Sequence, residues 1–235
     1  MASIATKLQQ VRQRIAQACA AAQRPVQSVT LLAVSKTFGP DAVHEAHAAG
    51  QRAFGENYVQ EASAKARSLA DLEPKIEWHL IGPLQSNKTR EVAALFAWVH
   101  SVDRLKLAER LSAQRPAGLP PLQLCLQVNI SGEASKNGVA PTEALALARA
   151  VSVLPNLRLR GLMSIPEAIA DAAGQRTSHR ALRELLDAMR AQGLALDTLS
   201  MGMSADLESA IAEGATIVRV GTSIFGSRAH SVSRP

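Results

Sequence analysis

The sequence predicts an α/β fold, a single (β/α)8 TIM-type barrel with an extra N-terminal helix. Three observations carry that prediction. From residue 29 onward, short β-rich apolar runs alternate with helical stretches, the rhythm of βα units around a parallel sheet. The alternation repeats eight times, enough to close on itself, whereas an open doubly wound sheet more often has five or six strands. The length, 235 residues, is close to the roughly 250 typical of a barrel and leaves nothing for an accessory domain.

Each element follows from its local pattern. Across residues 3–23, Ile4, Leu8, Val11, Ile15, Ala18 and Ala22 recur at spacings of four and three, with Ser3 as a cap. This is an amphipathic leading helix for the outside or end of the domain. Strands are expected at 29–35, 51–55, 76–81, 97–101, 122–130, 157–163, 196–200 and 216–220. Helices are expected at 40–49, 57–70, 87–95, 103–114, 141–153, 175–192 and 205–213, and a short segment after Gly221 closes the set. The Pro- and Gly-rich stretch 114–121 reads as a loop within the domain, because neither half of the chain would close a barrel alone. The barrel is assigned to residues 1–228, with a short polar tail at 229–235. In the run 122–130 the even positions are aliphatic and suit the helix layer, so Gln123, Gln127 and Asn129 are expected to face a polar lumen.

Composition narrows the function classes. The hydrophobic fraction of 47% suits a sizeable core, and no apolar run approaches the roughly 20 residues needed to span a bilayer. The N-terminus lacks the apolar block of a signal peptide, so a cytoplasmic location is expected. Cys19 and Cys125 form neither a disulfide framework nor a CxxC pair and read as small core hydrophobes. Net charge is +6 and scattered, and four Phe, two Trp and one Tyr offer little to stack on bases, which argues against a nucleic-acid module. A small phosphorylated ligand suits this balance better. Paired carboxylates and metal-ligand spacings are not found: His44 and His47 lie three apart on a helix without a third ligand.

Residues able to carry chemistry gather at one end of the predicted strands. Lys36 ends the apolar run beginning at Leu31, where a strand should release into a loop. A partly desolvated amine there can lose its proton near neutral pH and attack an aldehyde, but lysines also end strands simply by reaching water, so this residue alone leaves both roles open. Asn57, His79, Met163, Ser164, Ser200, Ser204, Arg219, Gly221 and Thr222 fall at or just beyond C-terminal strand ends, which is the functional face of barrel enzymes. Ser200-Met201-Gly202-Met203-Ser204 and the Arg219–Ser223 segment suit a phosphate, because glycine admits an anion close to backbone N–H groups. Ser204, with Glu208 nearby, could equally be the N-cap of the next helix. Arg219 alternates with Val218 and Val220, so its guanidinium should enter the barrel mouth and meet a ring nitrogen, a phosphate or a carboxylate. His79 reads first as a hydrogen-bonded structural histidine and second as a proton carrier. The 132–138 and 164–167 segments look like loops over the mouth, which makes Lys136 the runner-up amine.

These residues sit in motifs that resemble the pyridoxal phosphate homeostasis proteins, of the alanine-racemase-like barrel type. The motifs are LLAVSK ending at Lys36, FGENYVQE from Phe54, WHLIGPLQSNK from Trp78, HSVD from His100, ASKNGV from Ala134, GLMS from Gly161, LSMGMSADLESAI from Leu199 and VRVGTSIFG from Val218. The resemblance covers nearly the whole chain, and the long WHLIGPLQSNK block is highly specific. It implies one barrel holding pyridoxal 5′-phosphate (PLP) as a Schiff base on Lys36. Phosphate contacts are then implied along Ser200, Met203 and Ser204 and at Gly221 and Thr222, Arg219 would face the pyridine nitrogen, and Asn57 and Met163 would complete the cofactor-binding set. The implied role is PLP homeostasis without substantial catalysis: buffering the reactive cofactor and supplying it transiently to PLP-dependent apo-enzymes. Two rivals remain at this stage, a PLP-dependent racemase or decarboxylase and a cofactor-free Schiff-base aldolase using the same lysine.

Overall fold

Eight parallel strands pair in chain order: β1 (Thr30–Val34), β2 (Ala53–Glu56), β3 (Glu77–Leu80), β4 (Trp98–Val102), β5 (Leu122–Gln127), β6 (Leu157–Met163), β7 (Thr198–Ser200) and β8 (Ile217–Val220). Because β8 pairs back onto β1, in register from Thr30 against Ile217 to Ala33 against Val220, the sheet closes into the expected barrel. The computed structural model describes residues 2–133, 137–165 and 171–226. Lys136, Pro166, Glu167 and the expected tail at 229–235 lie outside the described residues.

Period-two alternation sorts each strand between two apolar environments. Ala33, Phe54, Trp78, Leu80, Val99, Leu124, Leu162 and Val218 join the large core beneath the helices. Leu32, Val34, Ala53, Ile81, Trp98, Cys125, Met163 and Ile217 form a second, smaller cluster that fills the lumen. The helices α2 (Pro40–Ala48), α3 (Val59–Ser68), α4 (Thr89–Leu95), α5 (Leu105–Gln114), α6 (Pro141–Ser152), α7 (Ala172–Ala191), α8 (Leu207–Ala212) and α9 (Thr222–Phe225) follow their strands in turn.

The extra helix has a structural reason. The helix after β8, α9, is only four residues long, so it cannot cover the outside of the closing strands. The leading helix, α1 (Ile4–Ala21), packs against α8 and α9 and fills that gap with buried Leu8, Val11, Ile15, Ala18 and Cys19. Each large aliphatic there is worth about 1.5–3 kcal/mol of burial. Ser3 caps α1 as expected, its side chain accepting from the Thr6 N–H at 3.1 Å.

Two local expectations need correction. β5 stops at Gln127 rather than running to 130: the Val128 N–H still donates to the Met163 carbonyl at 2.8 Å, but Gln127 and Asn129 then bond Val139 in the returning loop instead of continuing along β6. Asn129 therefore does not face the lumen: its side chain donates to the Glu133 carbonyl and accepts from the Gly132 N–H, folding the loop onto itself. Gln123 and Gln127 do alternate with the outward aliphatics, as expected.

Candidate functional site

Lys36 leaves β1 at the barrel mouth, and its chain neighbours are held from outside the barrel. Ser35 donates its hydroxyl to Glu56 at 2.5 Å, while the Thr37 N–H donates to Glu61 at 2.6 Å. Lys65, on α3, ties the group together by donating to the Ser35 carbonyl at 2.7 Å, to Glu56 at 2.7 Å and to Glu61 at 2.6 Å. All three ammonium hydrogens are thereby used, which is what a lysine side chain only 4% exposed requires. Burial pushes the Glu56 carboxyl up from its ordinary pKa, against the hydrogen bonds from Lys65 and Ser35. Thr37 carries a φ of +69°, a left-handed conformation uncommon outside glycine, so this network holds a strained residue directly beside Lys36.

Arg219 enters the lumen from β8, as its alternation with two valines predicts, and is 4% exposed. Its guanidinium donates to the Ser200 carbonyl at 2.6 Å, to the Ser200 hydroxyl at 2.9 Å and to the Ser164 carbonyl at 2.8 Å. Three of its five N–H donors are satisfied in this way, and among the described residues two remain. Burial lowers its pKa to about 10, still a cation at neutral pH. Among the described residues no carboxylate pairs with it, so the mouth carries a buried positive charge with donors to spare.

Beside Arg219 the turn after β7 supplies backbone donors. Gly202 adopts a φ of +88°, and a Cβ there would strike Ala210, so only glycine gives this turn its shape. Among the described residues, the N–H groups of Ser204, Gly221 and Thr222 have no acceptor. The expected capping role of Ser204 is not found. The helix begins at Leu207, and Asp206 closes the preceding turn by accepting from the Met203 N–H at 2.6 Å. Glu208 turns away to a bidentate pair with Arg14, which also donates to the Ser204 carbonyl at 3.1 Å.

One cavity of about 340 Å³ brings most of these residues together: Lys36, Asn57, Met203, Ser204, Arg219, Gly221 and Thr222 all line it, with Val34, Ile81, Ile165 and Ala205 as further walls. Met163 and Ser200 are fully buried and lie below it, Met163 in the lumen cluster and Ser200 under Arg219. Among the described residues, the buried Oδ1 of Asn57, which lines the cavity, and the buried Oγ of Ser164, whose carbonyl accepts from Arg219, have no hydrogen-bond partner. Asn57 is pressed into position by Gly82, where a Cβ would collide with the Asn57 backbone. A larger cavity of about 660 Å³ opens at the opposite end of the barrel. Its arginines are committed to the fold, Arg12 to the Ala49 carbonyl and Arg52 to the His47 and Gln51 carbonyls, so chemistry points to the smaller site.

Under the mouth, the lumen holds polar residues that the sequence reading missed. His100 on β4 has no exposed surface, and its Nδ1 lies 2.8 Å from the Ser200 hydroxyl while its Nε2 lies 2.9 Å from His79 Nδ1. His79 Nε2 in turn lies 2.8 Å from Glu77. Burial lowers the pKa of both imidazoles, most strongly for His100, so the short His79–Glu77 contact is a neutral N–H donated to a carboxylate rather than an ion pair. The signal was available: Trp98 and His100 alternate on β4 as Glu77 and His79 do on β3, and the His79 and Trp98 rings stack at 5.4 Å.

Residues 6–229 match the family described as alanine racemase, N-terminal domain. The chain is 62% identical over 228 residues to the pyridoxal phosphate homeostasis protein of Pseudomonas aeruginosa, spanning 97% of each chain. It is 50% identical over 232 residues to the protein of the same name from Escherichia coli K12, covering 98% of this chain and 99% of that one. Among solved structures it is similar to PipY of Synechococcus elongatus PCC7942 with PLP bound, at 42% identity and a TM-score of 0.83, covering 95% of this chain and all of that one. The eight-stranded barrel, the lysine and arginine at its mouth and these end-to-end matches agree: the chain belongs to the pyridoxal phosphate homeostasis protein family, within the alanine racemase N-terminal domain family.

Proposed function

We propose that this chain binds pyridoxal 5′-phosphate at the barrel mouth and serves PLP homeostasis rather than turnover of a substrate. The observation that carries the reading is the meeting of Lys36, Arg219 and the open backbone donors of Ser204, Gly221 and Thr222 around one cavity of about 340 Å³. These residues fit the group. When bound, PLP supplies an aldehyde carbon that a lysine amine can capture as an imine with loss of water. Lys36 is the amine in reach of that cavity, and the buried charge of Arg219 lies in the same cavity wall. The N–H groups of Ser204, Gly221 and Thr222 suit phosphate oxygens, and the spare donors of Arg219 suit an unprotonated ring nitrogen.

The same residues argue against efficient catalysis. An arginine at the ring nitrogen discourages its protonation and so weakens the ring as an electron sink. Acid–base work at a substrate carbon needs groups on both of its faces, and Tyr58, the only tyrosine in the sequence, is 57% exposed and lines a neighbouring cavity instead. His79 and His100 are sealed beneath the mouth. A cytoplasmic setting and transient delivery to PLP-dependent apo-enzymes belong to the same reading. Among the described residues no helix is long and apolar enough to cross a membrane.

Spectroscopic titration of the purified protein with PLP tests this. Saturable uptake with a protein-bound chromophore, lost in Lys36→Ala, is the expected result. Steady amino-acid turnover at ordinary enzyme rates, abolished by the same substitution, would establish a racemase or decarboxylase instead.

A further inference from the structure

The lumen contains a continuous hydrogen-bonded chain whose two ends differ in kind. At the mouth Arg219 can only donate, and at the base Glu77, with a half-exposed side chain, can only accept once ionised. Its hydrogen bond from His79 holds the Glu77 carboxyl below the usual carboxylate range. Between these ends every link is short: Arg219 to Ser200 Oγ at 2.9 Å, Ser200 Oγ to His100 Nδ1 at 2.8 Å, His100 Nε2 to His79 Nδ1 at 2.9 Å, and His79 Nε2 to Glu77 at 2.8 Å.

Those two ends leave one polarity. Arg219 donates to Ser200 Oγ, so the hydroxyl hydrogen must go to His100 Nδ1. His100 then carries its proton on Nε2 and gives it to His79 Nδ1, and His79 carries its own on Nε2 and gives it to Glu77. Protonating His79 would set two N–H groups face to face at the His79–His100 contact, and protonating His100 would bring a second donor onto Ser200 Oγ, in a buried lumen where an unmatched donor costs about 1–3 kcal/mol. The chain therefore works as a unit. Its lower end opens into the basal cavity, which Glu77 lines, and its upper end is a wall of the mouth cavity.

We infer that Glu77, His79, His100 and Ser200 are positioning residues, a chain through the lumen that fixes where the Arg219 guanidinium sits and which of its donors stay available to the ring nitrogen of bound PLP. This rests on the PLP-binding reading. It makes a carboxylate at the far end of the barrel a determinant of the cofactor's electronic state.

Glu77 offers a test outside the folded core. Glu77→Gln keeps an acceptor for His79 Nε2, whereas Glu77→Lys supplies only donors. Lysine would reverse both imidazoles and bring a second donor onto Ser200 Oγ, whose hydrogen then has no acceptor. Nitrogen-15 NMR of histidine-labelled protein without cofactor is expected to show His79 and His100 as neutral Nε2–H tautomers in the parent and in Glu77→Gln, and to lose that signature in Glu77→Lys. After PLP loading, Glu77→Lys and the lumen-filling His100→Leu are expected to shift the absorption maximum and weaken retention about fivefold to tenfold, the worth of roughly one hydrogen bond, while Glu77→Gln matches the parent. Protonated or Nδ1–H histidines in the parent would overturn the inference. So would spectra and retention unchanged in Glu77→Lys after normal uptake by the parent. A parent that takes up no PLP would overturn the functional reading, and the role of the chain with it.

Discussion

Lys65→Met tests whether the network behind Lys36 is an ionic unit. The substitution keeps most of the apolar stem and removes the ammonium that donates to Ser35, Glu56 and Glu61. Glu56 has no exposed side-chain surface, and among the described residues its Oε2 already lacks a partner and it would keep only the Ser35 hydroxyl. Removing one member of a buried pair costs about 3–5 kcal/mol, because the other charge stays buried and uncompensated. For a domain of this size each kcal/mol lowers Tm by about 2–4 °C, so the expected loss is about 6–20 °C. Burial already raises the Glu56 pKa, and losing Lys65 raises it further. A carboxyl whose folded pKa lies above its unfolded value binds an extra proton when folded. Its stabilisation is present at low pH and is lost as pH rises through the folded pKa. The deficit of Lys65→Met relative to the parent should therefore be large at pH 7.5 and shrink toward pH 5. Thermal melts at both pH values read this directly. A deficit below about 1 kcal/mol, or one independent of pH, would refute the ionic account.

Arg219→Glu replaces the buried cation of the mouth with an anion against the Ser164 and Ser200 carbonyls. PLP retention is expected to fall at least about a hundredfold, a loss of roughly 2.7 kcal/mol, measured by equilibrium dialysis; equal affinity would remove Arg219 from the cofactor wall. Cys125 is fully buried in the lumen, and burial pushes its thiol up to about 12. A thiol reagent at pH 8 should therefore leave Cys125 unmodified in the native protein and react once the chain is unfolded; fast native labelling would mean the lumen opens. Leu8→Ala in α1 should cost about 2–5 kcal/mol by denaturant titration, since Leu8 has no exposed surface where α1 covers the short α9; a loss under about 0.5 kcal/mol would make α1 a dispensable appendage.

The barrel was legible because strand count and alternation are local properties. Val218 and Val220 flank Arg219, and the same period that buries the valines under the helices turns the arginine inward. Lys36, Asn57, Gly221 and Thr222 were legible for the related reason that they end strands on one face of the barrel. What escaped depends on contacts between distant segments. Lys65 looks in sequence like any solvated helix lysine, and only the approach of Glu56 and Ser35 accounts for its burial. Ser204 has the right residue type for a cap, but Asp206 two positions later already satisfies the Met203 N–H, and the helix starts after it. His100 and Glu77 fit their strand patterns individually, and their linkage appears only when β3, β4, β7 and β8 close around one lumen.

Borohydride reduction of the PLP-loaded protein, followed by peptide mapping, tests the central claim most directly. The account predicts the pyridoxyl group on Lys36, in the peptide that also carries Ser35 and Thr37. A dominant adduct on Lys65, Lys88, Lys136 or any other lysine would contradict it.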